Sequence, residues 1–171
     1  MSRVIPTTII SHWNHRIENV NESSDTFYKE VERLLGEHEI KKLRCDRVKI
    51  SEGGIFSANR EYLQICRDHH VFYICAAPFG KGFFVSWWLG YVESGLMAWL
   101  GGLPLIGFFV RNFLQPVTYY KVDTGLMFQT VTHSAVTEAL DGMLNASGAK
   151  ALSDVERKPV MRDFFAQMSA Q

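Results

Sequence analysis

The histidines and cysteines are the residues whose types suggest chemistry, and His12 and His15 form the first pair of interest. Three positions apart, the two imidazoles share one face if the segment is helical. A zinc site needs two further Cys, His, Asp or Glu ligands at a regular spacing, and the sequence offers no second cluster of that kind. We therefore predict no metal site and interpret both histidines as solvated.

Two residues are candidates for nucleophilic or acid–base catalysis. Cys45 has Arg44 and Arg47 as neighbours, and cationic neighbours favour the reactive thiolate. His133 belongs to a predicted helix, where it is more simply a structural histidine with satisfied hydrogen bonds. Neither residue has a partner at a spacing typical of a catalytic pair. An enzyme using His133 or Cys45 is therefore our weakest functional hypothesis, and we assign no catalytic residue and no cofactor.

The run Gly80-Lys81-Gly82 is the remaining chemical candidate, because a lysine between glycines after a strand is reminiscent of a phosphate-binding loop. That loop requires a Ser or Thr directly after the lysine. Here Gly82 follows the lysine, so we predict a hairpin turn.

Composition indicates one domain of 171 residues that associates with itself. The 18 basic and 18 acidic side chains cancel, so the chain lacks the basic field typical of nucleic-acid-binding proteins. Zero net charge also gives little protection against self-association, so homo-oligomerisation is expected. Three scattered cysteines and an N-terminus without a signal-peptide pattern indicate a chain made in a reducing compartment.

Hydrophobic periodicity predicts an α+β fold: an antiparallel β-meander of three to four strands, flanked by N- and C-terminal helices. The first helix is predicted to be capped by Ser24 or Asp25 and to stop at Gly36, and Trp13 and Ile17 suggest an earlier helical turn. Residues 41–90 are predicted to form strands: residues 47–51 alternate between polar and apolar, residues 71–77 are continuously apolar as in a central strand, and 67–70 form a hairpin. Residues 118–171 form the C-terminal helical region.

The predicted C-terminal helix carries an apolar stripe and ends at Gly148. The stripe consists of Met127, Val131, Ala135, Ala139 and Met143. Ser153 and Glu156 have the spacing of a capping box, and Pro159 is placed to open a final short helix.

The segment between Lys81 and Arg111 has a single charged residue, Glu93, and the 17 residues from Ser94 to Val110 have none. Such a run is a buried core element, a membrane-inserting segment or an oligomer interface. Five Gly and Pro residues weaken a continuous helix in water, whereas lipid tolerates them better. We predict an apolar helical hairpin within 87–114, with limbs at 87–100 and 105–114, that dips into the membrane and returns.

The residues predicted to insert are large and apolar, and the tryptophans among them suit headgroup depth. They are Trp87, Trp88, Trp99, Leu100, Leu103, Pro104, Leu105, Ile106, Phe108 and Phe109. Glu93 either lines a pore in an oligomer or, more simply, lies at the membrane edge near a helix start. Headgroup contacts are predicted for basic residues, namely Lys41, Lys42, Arg44, Arg47, Lys49 and Arg111.

The sequence therefore favours a small, non-enzymatic, oligomeric protein on the cytoplasmic side of the inner membrane. It would insert the apolar hairpin and perturb the membrane or anchor a partner there. Membrane lipid and further copies of the chain are the expected partners, a protein partner is compatible with this hypothesis, and nucleic acid is not expected. The alternative is a soluble binding domain, with the apolar segment buried in its core or at a subunit interface.

Overall fold

The computed structural model describes residues 7–20, 22–50, 60–92 and 119–161. In these ranges the chain forms strands and helices in the order β1 (Thr8–Glu18), α1 (Ser24–Glu37), β2 (Arg44–Ile50), β3 (Arg60–Arg67), β4 (His70–Phe79), β5 (Gly82–Tyr91), α2 (Tyr119–Ser147) and β6 (Val160–Met161). The α+β class predicted from the sequence is confirmed.

The strands form one antiparallel sheet in the order β2-β3-β4-β5-β1-β6. The predicted meander corresponds to β2 through β5, because strands that follow one another in sequence are neighbours in space. The hairpin predicted at 67–70 is confirmed, since Asp68 and His69 form the turn between β3 and β4.

The helical turn predicted around Trp13 and Ile17 is wrong, because this segment is strand β1. Trp13 and Ile17 are buried, whereas Asn14, Arg16 and Glu18 are exposed. That alternation has the period of a strand. It allows β1 to pair with β5 along most of its length and to extend the meander at that edge.

Helix α1 agrees with the sequence, with small shifts at its ends. The apolar residues Phe27, Val31, Leu34 and Leu35 are buried as their spacing predicts. The cap is Ser23, whose Oγ accepts a hydrogen bond from the Asp25 amide at 3.2 Å. The helix continues through the predicted stop at Gly36.

Helix α2 ends before Gly148, which has a φ of +69° suited to glycine. Its buried face differs from the predicted stripe. Met127 is exposed, although Ala135 and Ala139 are buried as predicted. A stripe of every fourth residue drifts around a helix of 3.6 residues per turn. The buried face therefore also contains Phe128, Thr132, Val136, Leu140 and Leu144.

The main core lies between α1, α2 and one face of the sheet, which we call the inner face. At its centre the Phe72 ring contacts the rings of Trp87 and Phe128 edge to face, with both centroid distances at 5.1 Å. The opposite, outer face carries a second, smaller apolar cluster that includes Val48 and Val71.

The segment after α2 folds back over the inner face. Trp13 Nε1 donates a hydrogen bond to the Glu156 carbonyl at 2.6 Å. The predicted capping-box contacts are present, because the Ser153 amide donates to Glu156 Oε2 at 2.8 Å. The helix predicted to open at Pro159 is not formed by the next two residues, since Val160 and Met161 make strand β6 against β1.

The predicted apolar hairpin begins too early. Residues 87–91 belong to β5 and pair with both β4 and β1, so they are strand and not the start of a helical limb. The rest of the predicted hairpin lies outside the described residues. Phe164 and the other residues after 161 also lie outside them.

Candidate functional site

The end of β5 lies beside the β3–β4 hairpin. His70 pairs with Tyr91, and the Val92 amide donates a hydrogen bond to the His69 carbonyl at 2.7 Å. The described chain stops at Val92, so the apolar segment departs from this end of the sheet.

The start of α2 lies at the same end. Gly125 packs against His70 so closely that a Cβ at this position would lie 2.9 Å from His70 Nε2. Tyr119 precedes Gly125 by six residues, which corresponds to about 9 Å of helix. Because the contact at His70 marks the sheet end, the first turns of α2 project beyond it. We call this end of the molecule, where the apolar segment leaves β5 after residue 92 and α2 begins at residue 119, the 92/119 pole.

Exposed apolar side chains cover the projecting part of α2. Tyr119 is 91% exposed and Tyr120 is 81% exposed, and Val122, Leu126 and Met127 are exposed as well. Single exposed apolar residues are ordinary, whereas a group of large ones on consecutive turns is typical of an interaction surface. The sequence pattern did not indicate this group, because Met127 fits the apolar stripe that was predicted to be buried. The Tyr119-Tyr120 pair directly after the apolar run was the available signal.

Three of the predicted headgroup residues lie at the 92/119 pole. Lys41 and Lys42 are exposed in the turn between α1 and β2, and Arg44 is exposed at the start of β2. Arg44 pairs in register with Cys66, one residue before the end of β3, which places it at the hairpin end of the sheet. Lys42 Nζ lies 3.2 Å from Asp68 Oδ1, so an ion pair joins this turn to the hairpin.

The other two described basic residues lie farther along β2. Arg47 is half-buried, donates to Glu32 Oε2 at 3.1 Å and covers the Tyr28 ring with its guanidinium 4.5 Å from the centroid. This residue is therefore a structural element of the inner face, and its predicted headgroup contact is not supported. Lys49 is exposed, but it is near the opposite end of the strand.

Trp87 and Trp88 occupy opposite faces of β5. Trp87 is fully buried, and its Nε1 donates to His133 Nδ1 at 3.1 Å. A side chain without exposed surface cannot reach a headgroup in the folded protein, so the anchoring role predicted for Trp87 is not supported. Trp88 is 39% exposed on the outer face and stacks on His12 with ring centroids 4.8 Å apart.

The remaining residues of the predicted membrane site lie outside the described ranges. They are Glu93, Trp99, Leu100, Leu103, Pro104, Leu105, Ile106, Phe108, Phe109 and Arg111.

His133 has a structural environment. Its Nδ1 accepts from Trp87, so Nε2 carries the proton and donates to the Arg157 carbonyl at 2.6 Å. Burial lowers the pKa of His133 below its ordinary value, which keeps the ring neutral. Because both ring nitrogens are engaged within the fold, neither is placed to exchange a proton with a substrate.

Cys45 also lacks the environment of a nucleophile. Burial, followed by the nearby Glu32 and Asp46 carboxylates, raises the pKa of the Cys45 thiol to about 11. The thiol is therefore protonated at neutral pH, despite the arginines beside it in sequence.

His12 and His15 are separated by the strand geometry of β1. His12 lies on the outer face against Trp88, whereas His15 lies on the inner face with Nε2 4.0 Å from Glu156 Oε1. The shared helical face considered for a metal pair therefore does not exist. Across the described ranges, no three His, Cys, Asp or Glu side chains form a group suited to a metal ion.

Neither of the two described helices has the length and apolarity that crossing a bilayer requires. Comparison with protein families, with curated proteins and with solved structures finds no match for this chain.

Proposed function

We propose that this protein is a non-enzymatic, membrane-associated oligomer that inserts its apolar segment from the 92/119 pole. The inserting part is the portion of the predicted hairpin after β5, residues 93–114. Insertion perturbs the membrane or anchors a partner at the cytoplasmic side of the inner membrane. Membrane lipid and further copies of the chain are its partners.

The observation that carries this proposal is that the two flanks of the apolar segment lie at the same end of the sheet. The Val92 amide is hydrogen-bonded to His69 in the β3–β4 hairpin, and Gly125 of α2 packs against the adjacent His70. A segment whose flanks lie together suits a hairpin that enters a membrane and returns on the same side. A single crossing would instead place its two flanks on opposite sides of the bilayer, and here both flanks belong to one sheet-and-helix unit.

The surface of the pole supports the same orientation. Tyr119 and Tyr120 are amphipathic rings of the kind favoured at headgroup depth. Lys41, Lys42 and Arg44 are exposed at the same end of the sheet, where they reach anionic headgroups as the apolar residues enter the acyl boundary. Each such cation near an anionic surface contributes about 1 kcal/mol to binding.

A second candidate function is a soluble binding domain in which the apolar segment is internal. The observation in its favour is the burial of Val48 and Val71 on the outer face, away from both helices. Under this alternative the 93–114 segment is part of the core, and a charge placed within it unfolds the protein.

Fractionation of the expressed full chain tests insertion and separates these two candidates. We expect the protein in the membrane fraction, retained through washes with high salt and with carbonate. Leu100→Arg should shift a folded protein to the soluble fraction, because an arginine within hydrocarbon is strongly unfavourable. Val155→Arg is the matched control, since Val155 is 77% exposed in the turn near Glu156. Recovery of the wild type in the cytosol as a defined species would refute insertion, and unfolding by Leu100→Arg would favour the soluble domain.

Vesicle flotation tests the orientation of the pole. With vesicles of phosphatidylcholine and phosphatidylglycerol, Arg44→Ala should weaken binding about five-fold, the equivalent of about 1 kcal/mol. The matched control is Lys49→Ala, which removes an exposed cation from the same strand but away from the pole. Equal effects of the two substitutions would contradict the proposed orientation.

A further inference from the structure

One half of the outer face of the sheet is buried. Its apolar cluster consists of Val48, Cys66, Val71 and Tyr73, with Ile50, Tyr62 and Val92 packed against it. Every described member of the cluster lies on a strand of the meander or directly after β5. No residue of α1 or α2 takes part in it, because both helices pack on the inner face.

The exposed fractions of the side chains on this face are opposite to those expected for a sheet with nothing packed on it. Val48 is 1% exposed although β2 is an edge strand, whereas Trp88 is 39% exposed although β5 lies between β4 and β1. An uncovered edge strand has a neighbour on one side only, so its outward side chains should be the more exposed ones. The β2–β4 half of the outer face is therefore covered. On the β5–β1 half the burial is mixed, since Trp88 and Asn14 are exposed whereas Ser86 is 5% exposed.

Strand β4 gives the same result independently. All seven residues from His70 to Ala76 are buried, although successive side chains point to opposite faces. A continuous buried run is typical of a strand with packed layers on both faces. The described elements supply a layer on the inner face only, since β6 lies at the far edge of the sheet beside β1.

We propose that the apolar segment 93–118 of the same chain covers the β2–β4 half of the outer face when the protein is in water. Val92, the last residue before that segment, already packs on the outer cluster.

The length and chemistry of the segment fit this position. Its roughly 26 residues extend about 39 Å even when helical, which allows a path out and back to the 92/119 pole. Along β3 the cluster runs from Cys66 to Tyr62, about 13 Å. The uncharged stretch Ser94 to Val110 covers an apolar surface without burying a charge.

The other internal stretch outside the described ranges is a poorer occupant. Residues 51–59 join Ile50 to Arg60 and so leave the sheet at the end opposite the 92/119 pole. They include the charged Glu52, and they are too few to cover the cluster as far as Cys66 and Val71. Covering of the outer face by residues 51–59 is the alternative outcome of the cross-linking test described below.

The covering of the outer face does not depend on the proposed membrane function. A segment packed on the sheet in water is compatible with permanent burial and with release into lipid. If the segment is released, it leaves behind an apolar face that contains Cys66 and Cys75, which are buried free thiols.

Photo-crosslinking of the full chain without lipid identifies the occupant. The photo-reactive residue benzoylphenylalanine replaces Tyr62, which packs against the outer cluster. In the matched control it replaces Lys49, which is exposed on the neighbouring strand and directed to the inner face. We expect the Tyr62 probe to cross-link within one chain to peptides of 93–118, and the Lys49 probe to give none of these products. Cross-links only to 51–59 or to the termini, products between two chains, or no product in a folded protein would overturn the proposal.

Thiol labelling provides a second measurement with native residues. In a Leu103→Asp, Ile106→Asp variant, maleimide labelling of Cys66 should accelerate at least about ten-fold, because a charged segment no longer packs on an apolar face. Cys45, on the inner side of β2, is the internal reference and should keep its rate. Unchanged labelling of Cys66 in a folded variant would refute the covering, and if the variant does not fold, the wild-type cross-link decides.

These measurements separate the two proposals. The cross-link is made in the absence of membranes, so failure of the chain to bind vesicles leaves its result intact. Conversely, a chain that inserts into membranes but gives no 93–118 cross-link in water would retain the proposed function and lose the covering.

Discussion

The hydrogen bond between Trp87 and His133 gives the sharpest prediction about stability. In the His133→Ala variant, the Trp87 Nε1–H loses the acceptor that lies 3.1 Å away. The Trp87 ring is fully buried, so no solvent replaces this partner. In the Trp87→Phe variant, His133 Nδ1 loses its donor instead. The His133→Ala variant therefore leaves a fully buried donor unsatisfied, whereas the Trp87→Phe variant leaves an acceptor on a half-buried ring.

The magnitude follows from what the double variant restores. An unsatisfied buried hydrogen-bonding group costs about 1–3 kcal/mol, whereas removal of both partners leaves neither group of this pair unsatisfied. We therefore expect a coupling free energy of about 1–3 kcal/mol between the two substitutions. For a domain with about 5–15 kcal/mol of total stability, this is a large and measurable share.

The assay is a double-mutant cycle of urea unfolding, followed by far-UV circular dichroism because Trp87→Phe changes the fluorescence. The measurements are made at about pH 7.5, where the His133 ring is neutral. A control cycle pairs His133→Ala with Trp88→Phe, because Trp88 is adjacent in sequence but lies on the outer face. The control pair should be additive within about 0.5 kcal/mol.

The reasoning would be refuted by additivity in the Trp87 cycle. A coupling below about 0.5 kcal/mol would mean that the Trp87–His133 contact contributes nothing beyond packing. The separate bond from His133 Nε2 to the Arg157 carbonyl does not affect this conclusion, because it is lost in both variants that carry His133→Ala.

Two further predictions concern pH and a buried tyrosine. Burial lowers the folded-state pKa of both His133 and His70, so the unfolded chain binds more protons, and the free energy of unfolding should decrease as pH falls from about 7.5 to 5.5. Urea midpoints across this range test it, and His133→Gln should flatten the dependence; a midpoint that rises on acidification would contradict the sign. Tyr28→Phe should cost about 1–3 kcal/mol in thermal unfolding, because the buried Tyr28 Oη accepts from the Ala76 amide at 2.8 Å and donates to the Glu61 carbonyl at 2.9 Å. The control Tyr120→Phe, at an 81% exposed residue, should stay within about 0.5 kcal/mol, and equal effects would sink this interpretation.

The agreement between sequence and fold is best where a pattern is long and local. Phe27, Val31, Leu34 and Leu35 repeat at helical spacing over three turns, and α1 buries all four. The meander follows from runs rich in strand-forming residues separated by short turns, as at Asp68 and His69. In both cases neighbours in sequence are also neighbours in space.

The errors arise where distant residues decide the outcome. The segment around Trp13 contains apolar residues that fit a helix or a strand, and pairing with β5 selects the strand. Met127 fits a stripe in isolation, but the packing of Phe128 on Phe72 fixes which side of α2 faces the sheet. His133 acquires its partners Trp87 and Arg157 from chain positions 46 and 24 residues away.

The sequence alone determined that this chain is an α+β domain with a first helix that stops near Gly36, a meander through β5 and a long uncharged segment after it. These features depend on local periodicity and charge, which a sequence displays directly. Only the tertiary structure decided that both flanks of that segment lie at the same end of the sheet, the 92/119 pole, and that the β2–β4 half of the outer face is buried. These facts depend on strand order and on helix rotation, which contacts between distant residues determine.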